Sequence, residues 1–208
     1  MEEKEILNMK SKINIDCHLC DKCCEYRGNI KITPINVLQI SKYLKIKPED
    51  FLSQYTLTIE NSPEIVIKGI GEKRVCIFNN RENNKCTIQK VKPVQCVVFP
   101  LVPVDIYNDL FFNSNQCSVK SKKVMTVDKW LNGNHNIYNK NKKVYLKWIE
   151  LMEEIVPKWE YFSEGKRKNI MRILYRNYDL SKNYEEQVLN NIQEARKEYL
   201  LYWYLFII

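Results

Sequence analysis

Four cysteines lie within eight residues near the start of this chain, in the run Cys17-His18-Leu19-Cys20-Asp21-Lys22-Cys23-Cys24. Four more cysteines follow, at Cys76, Cys86, Cys96 and Cys117. Thiols at this density require oxidation to disulfides, a bound metal ion or an iron–sulfur cluster. Each of these ties distant parts of a chain together, so the cysteines constrain the fold more than any other feature.

The composition favours a metal or a cluster over disulfides. With 208 residues, of which 45% are hydrophobic and 28% charged, the chain can build a core of its own. The acidic start Met1–Glu5 does not resemble a secretory signal, and the apolar run Tyr199–Ile208 is about half of the roughly 20 residues that a membrane span needs. We therefore expect a cytoplasmic protein with no transmembrane segment, in a compartment where disulfides are rare.

The net charge of +8 does not by itself predict a nucleic-acid partner. The basic excess is spread along the whole chain, and no basic run is interleaved with aromatic residues. A lysine-rich solvated surface explains this pattern better. The expected partner is a metal ion or a cluster, no clear nucleic-acid site is indicated, and a protein partner remains open.

The order of predicted elements indicates an α+β fold. Short helices are predicted after Thr33-Pro34 and Pro48-Glu49-Asp50, and short strands at Leu57-Thr58-Ile59 and Ile65-Val66-Ile67. A hairpin is predicted from Val102–Tyr107 and Leu110–Phe112, across Asn108-Asp109. We therefore predict a small cysteine-cluster metal-binding domain over residues 13–120, followed by an α-helical C-terminal region over residues 121–208.

Within the predicted helices, apolar spacing and capping residues give more specific expectations. Ile35, Leu38 and Tyr43 supply the apolar positions of the first helix. In the C-terminal region, one helical face carries Val144, Trp148, Ile149 and Met152, and another carries Ile170, Ile173 and Leu174. Ser163 and Ser181 are predicted helix caps.

The spacing of the cysteines argues against a single local site. If the first run is helical, Cys17, Cys20 and Cys24 share one face while Cys23 points aside. Cys76, Cys86 and Cys96 are ten residues apart, too far for a local hook, so they must converge through the fold. A metal held in this way would link the N-terminal run to residues 76–117, as zinc in a closed thiolate site or as an iron–sulfur cluster.

Two sharper motifs are only partly matched. Cys17, Cys20 and Cys23 fit the first three positions of the bacterial ferredoxin pattern, but Cys24 follows at once and there is no Cys-Pro. A 4Fe–4S cluster remains one of the open alternatives. Gly69-Ile70-Gly71 lacks the rest of a dinucleotide-binding fingerprint, so we do not expect a ready-made dinucleotide site.

The ordered combination of motifs over about residues 13–120 resembles the cysteine-cluster family known as YkgJ or CxxCxxCC. The resemblance is carried by Cys17-x₂-Cys20-x₂-Cys23-Cys24, Cys76-Ile77-Phe78, Cys86-Thr87-Ile88, Lys92-Pro93 and Cys96-x₂-Phe99-Pro100. It implies chelation of zinc or iron. It also implies a metal-binding cluster formed by Cys17, Cys20, Cys23, Cys24, Cys76, Cys86 and Cys96.

The chain departs from the family pattern at three positions. Cys117 stands where many members have Cys-Pro-Gly, but here Ser118 and Val119 follow it; we keep it as the eighth candidate ligand. Members usually carry arginines where this chain has Lys92 and Val97. The departure removes an arginine pair that could make bidentate contacts with an anion.

Two classes of function follow from these residues and from the resemblance. The first is a metal-binding protein that holds zinc or an iron–sulfur cluster, with a structural, redox or metal-handling role. The alternative is an enzyme that modifies proteins, because the resemblance extends to flagellin lysine N-methylase; only this alternative implies S-adenosylmethionine. No catalytic residue is assigned, and His18 and His135 are not expected to be ligands while eight thiols are present.

Overall fold

The computed structural model describes residues 5–15, 24, 30–83, 85–114, 124–132 and 137–206. Helices and short antiparallel strands occur together and the C-terminal region is helical, which confirms the predicted α+β class. The chain forms two compact units: unit 1 is Met1–Ile30 with Gly69–Lys142, and unit 2 is Lys31–Lys68 with Lys143–Ile208. The four described cysteines, Cys24, Cys76, Cys86 and Cys96, belong to unit 1. The predicted division at residue 120 stays a prediction.

The elements are numbered in chain order. The strands are β1 (Lys12–Ile13), β2 (Lys31–Ile32), β3 (Thr56–Thr58), β4 (Ile65–Ile67), β5 (Gly69–Ile70), β6 (Val75–Cys76), β7 (Asn79–Asn80), β8 (Lys85–Cys86), β9 (Leu101–Asp105), β10 (Leu110–Asn113) and β11 (Met125–Thr126). The α-helices are α1 (Pro34–Leu44), α2 (Pro48–Tyr55), α3 (Val94–Val98), α4 (Val127–Asn132), α5 (Ile137–Ile155), α6 (Glu164–Tyr175) and α7 (Tyr184–Phe206). Short 3-10 helices span Gln89–Val91 and Val156–Tyr161.

In unit 2, helix α1 begins where Thr33-Pro34 predicts, and Thr33 is its N-cap, in a capping box with Asn36. The hydroxyl of Thr33 also donates to Asn36 Oδ1 at 2.8 Å. The backbone amide of Thr33 donates to the same oxygen at 3.2 Å, so Asn36 supplies the capping acceptor. Ile35 and Leu38 are buried as predicted, whereas Tyr43 is exposed, and its assignment to the apolar face was wrong.

The three-stranded sheet of unit 2 has the order β2-β4-β3, with β4 in the centre. All three residues of β4 are buried, as its unbroken apolar sequence predicts for a central strand. The predicted strand at residues 57–59 is observed one residue earlier, as β3. This part of the sequence-based prediction is confirmed to within one residue.

The helical part of unit 2 buries the faces that the sequence predicts. Val144, Trp148 and Met152 on α5 are buried, while Ile149 is half-buried. Trp148 Nε1 donates to the hydroxyl of Tyr175 at 3.4 Å. Burial raises the pKa of Tyr175, so this phenol stays protonated over the physiological range.

The two predicted caps of the C-terminal region have different outcomes. Ser163 Oγ accepts a hydrogen bond from the amide of Lys166, which confirms it as the cap of α6. The prediction for Ser181 was wrong, because Asn183 Oδ1 accepts from the amide of Glu186 at the start of α7. Ser181 instead donates to Asp179 Oδ1 in the preceding loop, at 2.6 Å.

Unit 1 has its own hydrophobic core. It is formed by Leu7, which precedes β1, and by residues from β1, α3, the hairpin β9–β10, α4 and the start of α5, which include Ile13, Val97, Phe111 and Tyr138. The predicted hairpin is confirmed, with strands β9 and β10 and a register shift between Leu110 and Phe111. No helix in the described part of the chain is long and apolar enough to cross a membrane.

Candidate metal centre

A hydrogen bond joins the first cysteine run to the second cysteine segment. The amide of Cys76, in β6, donates to the carbonyl oxygen of Cys24 with 2.9 Å between nitrogen and oxygen. Both residues are half-buried. Two cysteines that are distant in the sequence thus have adjacent backbones, as expected if the two segments form one site.

The hairpin that carries Cys76 is tight, and two glycines permit it. Gly69 lies opposite Cys76 in the β5–β6 pair. A Cβ atom at Gly69 would lie 2.7 Å from the carbonyl oxygen of Arg74, closer than real Cβ contacts. Gly71 has a φ of 71°, and its carbonyl accepts from the amide of Arg74. The position of Cys76 therefore depends on the lack of side chains in this turn.

Cys86 lies in a second hairpin, β7–β8, directly after the first. The amide of Thr87 donates to the carbonyl oxygen of Phe78 at 2.8 Å, and the Thr87 hydroxyl donates to the same oxygen at 3.1 Å. This doubled contact holds the end of β8 beside β7. Cys86 is half-buried here, and its partner in register is Asn79.

Asn79 is a polar residue that the sequence did not single out. It is buried, with 9% of its surface exposed. Its side-chain nitrogen Nδ2 has no hydrogen-bond partner among the described residues. An unpaired buried donor costs about 1–3 kcal/mol, so such a group calls for an acceptor. The only sequence signal for a role of Asn79 was its position in a polar turn segment between Cys76 and Cys86.

Cys96 is held by the short helix α3. Its amide donates to the carbonyl of Pro93, and the neighbouring Val94, Val97 and Val98 are buried in the core of unit 1. Trp130 Nε1 donates to the carbonyl of Val98 at 3.4 Å and joins the end of α3 to α4. Cys96 is thus a half-buried thiol on a helix that the core fixes in place.

Lys92 and Val97 occupy the two positions where the family pattern has arginines. The structure places Val97 among apolar side chains. Val97 is completely buried and packs in the core. An arginine there would place a charge among apolar side chains, which is strongly unfavourable without a partner. Valine at this position therefore contributes to packing of the core.

Basic side chains predominate around the three spaced cysteines. Between Gly69 and Cys96 the basic residues are Lys73, Arg74, Arg81, Lys85, Lys90 and Lys92, and the acidic residues are Glu72 and Glu82. A zinc ion with four thiolates carries a net charge of about −2. The basic excess of this segment suits it to a negatively charged thiolate centre.

The structure brings the backbones of two predicted ligands, Cys24 and Cys76, together. Cys24, Cys76, Cys86 and Cys96 are described, and no disulfide joins any two of them. Cys17, Cys20, Cys23 and Cys117 lie outside the described residues, as do His18 and His135. Within the described ranges, no three Cys, His, Asp or Glu side chains are grouped closely enough to hold an ion. The full ligand set therefore stays a prediction.

The residues of the site fit a thiolate-bound metal. Soft sulfur ligands select zinc, copper(I) and iron–sulfur clusters, whereas magnesium and calcium require oxygen ligands. The buried amide of Asn79, in register with Cys86, is the kind of donor that accompanies metal-bound sulfur. If a metal is bound, Cys24, Cys76, Cys86 and Cys96 are its candidate ligands among the described residues.

Sequence comparisons with known proteins identify a family and a relative. The sequence model of the CxxCxxCC family, described as "Putative zinc- or iron-chelating domain", matches residues 16–132, more than half of the chain. The uncharacterized protein MJ0661 of Methanocaldococcus jannaschii is 30% identical over 153 residues, which span 72% of this chain and 71% of that protein. No solved structure matches.

Proposed function

Because the chain belongs to the CxxCxxCC family, we propose that it is a metal-binding protein whose cysteines hold zinc or iron across two separate segments of unit 1. The proposed ligands are drawn from Cys17, Cys20, Cys23, Cys24, Cys76, Cys86, Cys96 and Cys117. The metal is zinc or the iron of an iron–sulfur cluster, and its first role is to cross-link the fold.

One observation carries this proposal: the hydrogen bond from the amide of Cys76 to the carbonyl of Cys24. A local zinc hook would need only the N-terminal run, and its last cysteine would have no reason to adjoin a distant hairpin. The observed contact instead favours a site whose ligands come from both segments. A metal held in this way contributes its binding free energy to folding.

The placement of Cys96 supports a structural role for the centre. Its helix α3 contributes three buried valines to the core of unit 1. Displacement of Cys96 would therefore disturb the core, so loss of the metal should loosen the packing of the three valines in unit 1. When bound, zinc supplies a fixed tetrahedral cross-link, whereas an iron–sulfur cluster supplies in addition a site for electron transfer.

A cytoplasmic location is part of the proposal, because reduced thiols are needed for metal binding and are maintained there. The YkgJ name and the similarity to flagellin lysine N-methylase stay predictions. We do not advance the methyltransferase as a second function, because no contact among the described residues favours it.

The test is metal analysis of the full-length protein purified without oxygen. We expect stoichiometric zinc in a colourless protein, or iron with sulfide in a brown protein whose reduced form gives an electron paramagnetic resonance signal. Cys86→Ser and Cys96→Ser should each lose most of the metal, because serine keeps the size of the side chain but not the soft thiolate.

Val75→Ala provides a matched control in the same segment. Val75 is half-buried beside Cys76, so its truncation perturbs the β5–β6 hairpin without removing a thiol. This variant should keep its metal. Metal-free wild-type protein, or full metal content in both cysteine variants, contradicts the proposal.

A further inference from the structure

The side-chain amide of Asn79 is a buried hydrogen-bond donor whose acceptor is not found among the described residues. Asn79 is 9% exposed, and Nδ2 has no hydrogen-bond partner in the described part of the chain. An amide nitrogen carries two hydrogens and accepts none, so only an electron-rich atom can satisfy it. The question is which atom of the folded protein takes this role.

The strand register places one candidate acceptor, Cys86, opposite Asn79. Asn79 and Cys86 are directly opposite each other in the antiparallel β7–β8 pair. The bond from the amide of Thr87 to the carbonyl of Phe78 shows that this is a non-hydrogen-bonded pair. In such pairs the two side chains lie on the same face of the sheet, with Cβ atoms about 4.5–5.5 Å apart. The sulfur of Cys86 is thus within reach of a rotation of the amide.

We propose that the side-chain amide of Asn79 donates a hydrogen bond to the sulfur of Cys86 when that sulfur binds the metal as a thiolate. This inference rests on the proposed function. A thiol sulfur is a weak acceptor, but a thiolate carries charge and is a strong one. Asn79 is then a positioning residue, because it orients Cys86 and withdraws electron density from its sulfur without itself binding the metal.

A second asparagine shows that burial of an unpaired amide does not by itself indicate a thiolate acceptor. Asn36 Nδ2, in unit 2, is also buried and has no partner among the described residues. Asn36 lies on helix α1, so it has no strand partner and no cysteine in register with it. What distinguishes Asn79 is its register with a candidate ligand. Asn36 is therefore the natural control.

The test uses full-length protein loaded with Co²⁺, whose thiolate charge-transfer bands report on the sulfur ligands. Asn79→Leu removes the donor at similar size, and Asn79→Asp replaces it with a carboxylate that repels a thiolate. We expect both variants to release Co²⁺ to excess EDTA roughly 10- to 100-fold faster than wild type, as is typical when a group that supports a metal ligand is removed. The charge-transfer bands should shift to lower energy. Asn36→Leu should change neither quantity.

A measurement on wild-type protein covers the case in which the Asn79 variants fail to fold. In heteronuclear NMR spectra, addition of Cd²⁺ should shift a side-chain amide proton of Asn79 downfield and leave those of Asn36 in place. Wild-type protein that binds no metal would sink the proposed function itself. If wild-type protein binds metal stoichiometrically, either of two results would overturn only the present inference. One is unchanged release rates and charge-transfer bands in folded Asn79 variants, and the other is the absence of a shift of the Asn79 amide proton.

Discussion

The amide of Cys76 donates a hydrogen bond to the carbonyl oxygen of Cys24, across a distance of 2.9 Å. Cys24 ends the N-terminal cysteine run, and Cys76 is the first cysteine after a long interval in which unit 2 begins. The bond is between backbone atoms, so it does not depend on the thiols. A metal bound to both side chains would add to a contact that the fold already makes.

Cys76→Ser should therefore reduce metal content and thermal stability together. The backbone bond survives the substitution, but the soft ligand is lost, and with it the folding free energy that the metal supplies. In a chain of this size, each 1 kcal/mol lost lowers the melting temperature by about 2–4 °C. Calorimetry and metal analysis of the same preparation check both effects.

Val75→Ala is again the control for Cys76→Ser, because it alters the same strand and keeps the thiol. EDTA treatment should lower the melting temperature of wild type and of Val75→Ala, while leaving Cys76→Ser unchanged. If the chelator destabilised all three proteins equally, Cys76 would not be a ligand.

Gly69→Ala should destabilise the protein by about 1–3 kcal/mol, the usual cost of forcing an atom into a filled space. The new Cβ would lie 2.7 Å from the carbonyl oxygen of Arg74, a backbone atom that cannot swing aside. Because Gly69 pairs with Cys76, metal retention should fall as well. Urea unfolding and metal analysis measure the two effects.

Gly165→Ala is the matched control for that substitution. Gly165 lies in the first turn of α6, and a Cβ atom there meets nothing within 4 Å. Alanine at such a position should be neutral or should stabilise the protein by up to about 1 kcal/mol, because it restricts the unfolded chain. Equal destabilisation by both alanines would refute the steric argument for Gly69.

The caps in unit 2 give a prediction that separates two nearby side chains. Asn183→Ala should cost about 1 kcal/mol, because Asn183 Oδ1 accepts from the amide of Glu186 at the start of α7. Ser181→Ala should cost less, because Ser181 bonds Asp179 in an exposed loop. Denaturant midpoints of the two variants measure the difference. A larger loss from Ser181→Ala would restore Ser181 as the cap.

Glu198 should contribute to acid sensitivity. A hydrogen bond from Lys166 holds the pKa of this carboxyl below its usual range. A lowered pKa in the folded state means that the stabilisation is complete above the ordinary glutamate value of about 4.3 and is lost as the pH falls through the folded value. Glu198→Gln should therefore reduce stability at neutral pH and flatten its decline in acid.

Melting temperatures between pH 7 and pH 3 check the Glu198 prediction. Glu194→Gln on the same helix is the control, because its carboxylate contacts Lys197 at 3.6 Å on an exposed surface, where ion pairs contribute little. The two variants should differ most at neutral pH and converge in acid. Identical pH profiles for Glu198→Gln and wild type would exclude the mechanism.

Local sequence signals predicted those elements whose ends or apolar faces are set by neighbouring residues. Helix α1 begins at Pro34, strand β4 is the buried run Ile65–Ile67, and Ser163 caps α6, all as expected. The error at Ser181 arose because two nearby residues offer equivalent chemistry. Ser181 and Asn183 are both good caps, and in the structure the helix begins after Asn183, whose Oδ1 accepts from the amide of Glu186.

For the candidate site, too, some features could be predicted from the sequence and others required the tertiary structure. The sequence alone made the eight cysteines candidate soft ligands and predicted, from their spacing, that the segments converge, because thiol chemistry and chain separation are properties of the sequence. Only the tertiary structure placed Cys76 beside Cys24 and Asn79 opposite Cys86. Which strands pair, and which residues lie opposite each other in a pair, depends on contacts between residues far apart along the chain, and the local sequence pattern does not specify those partners.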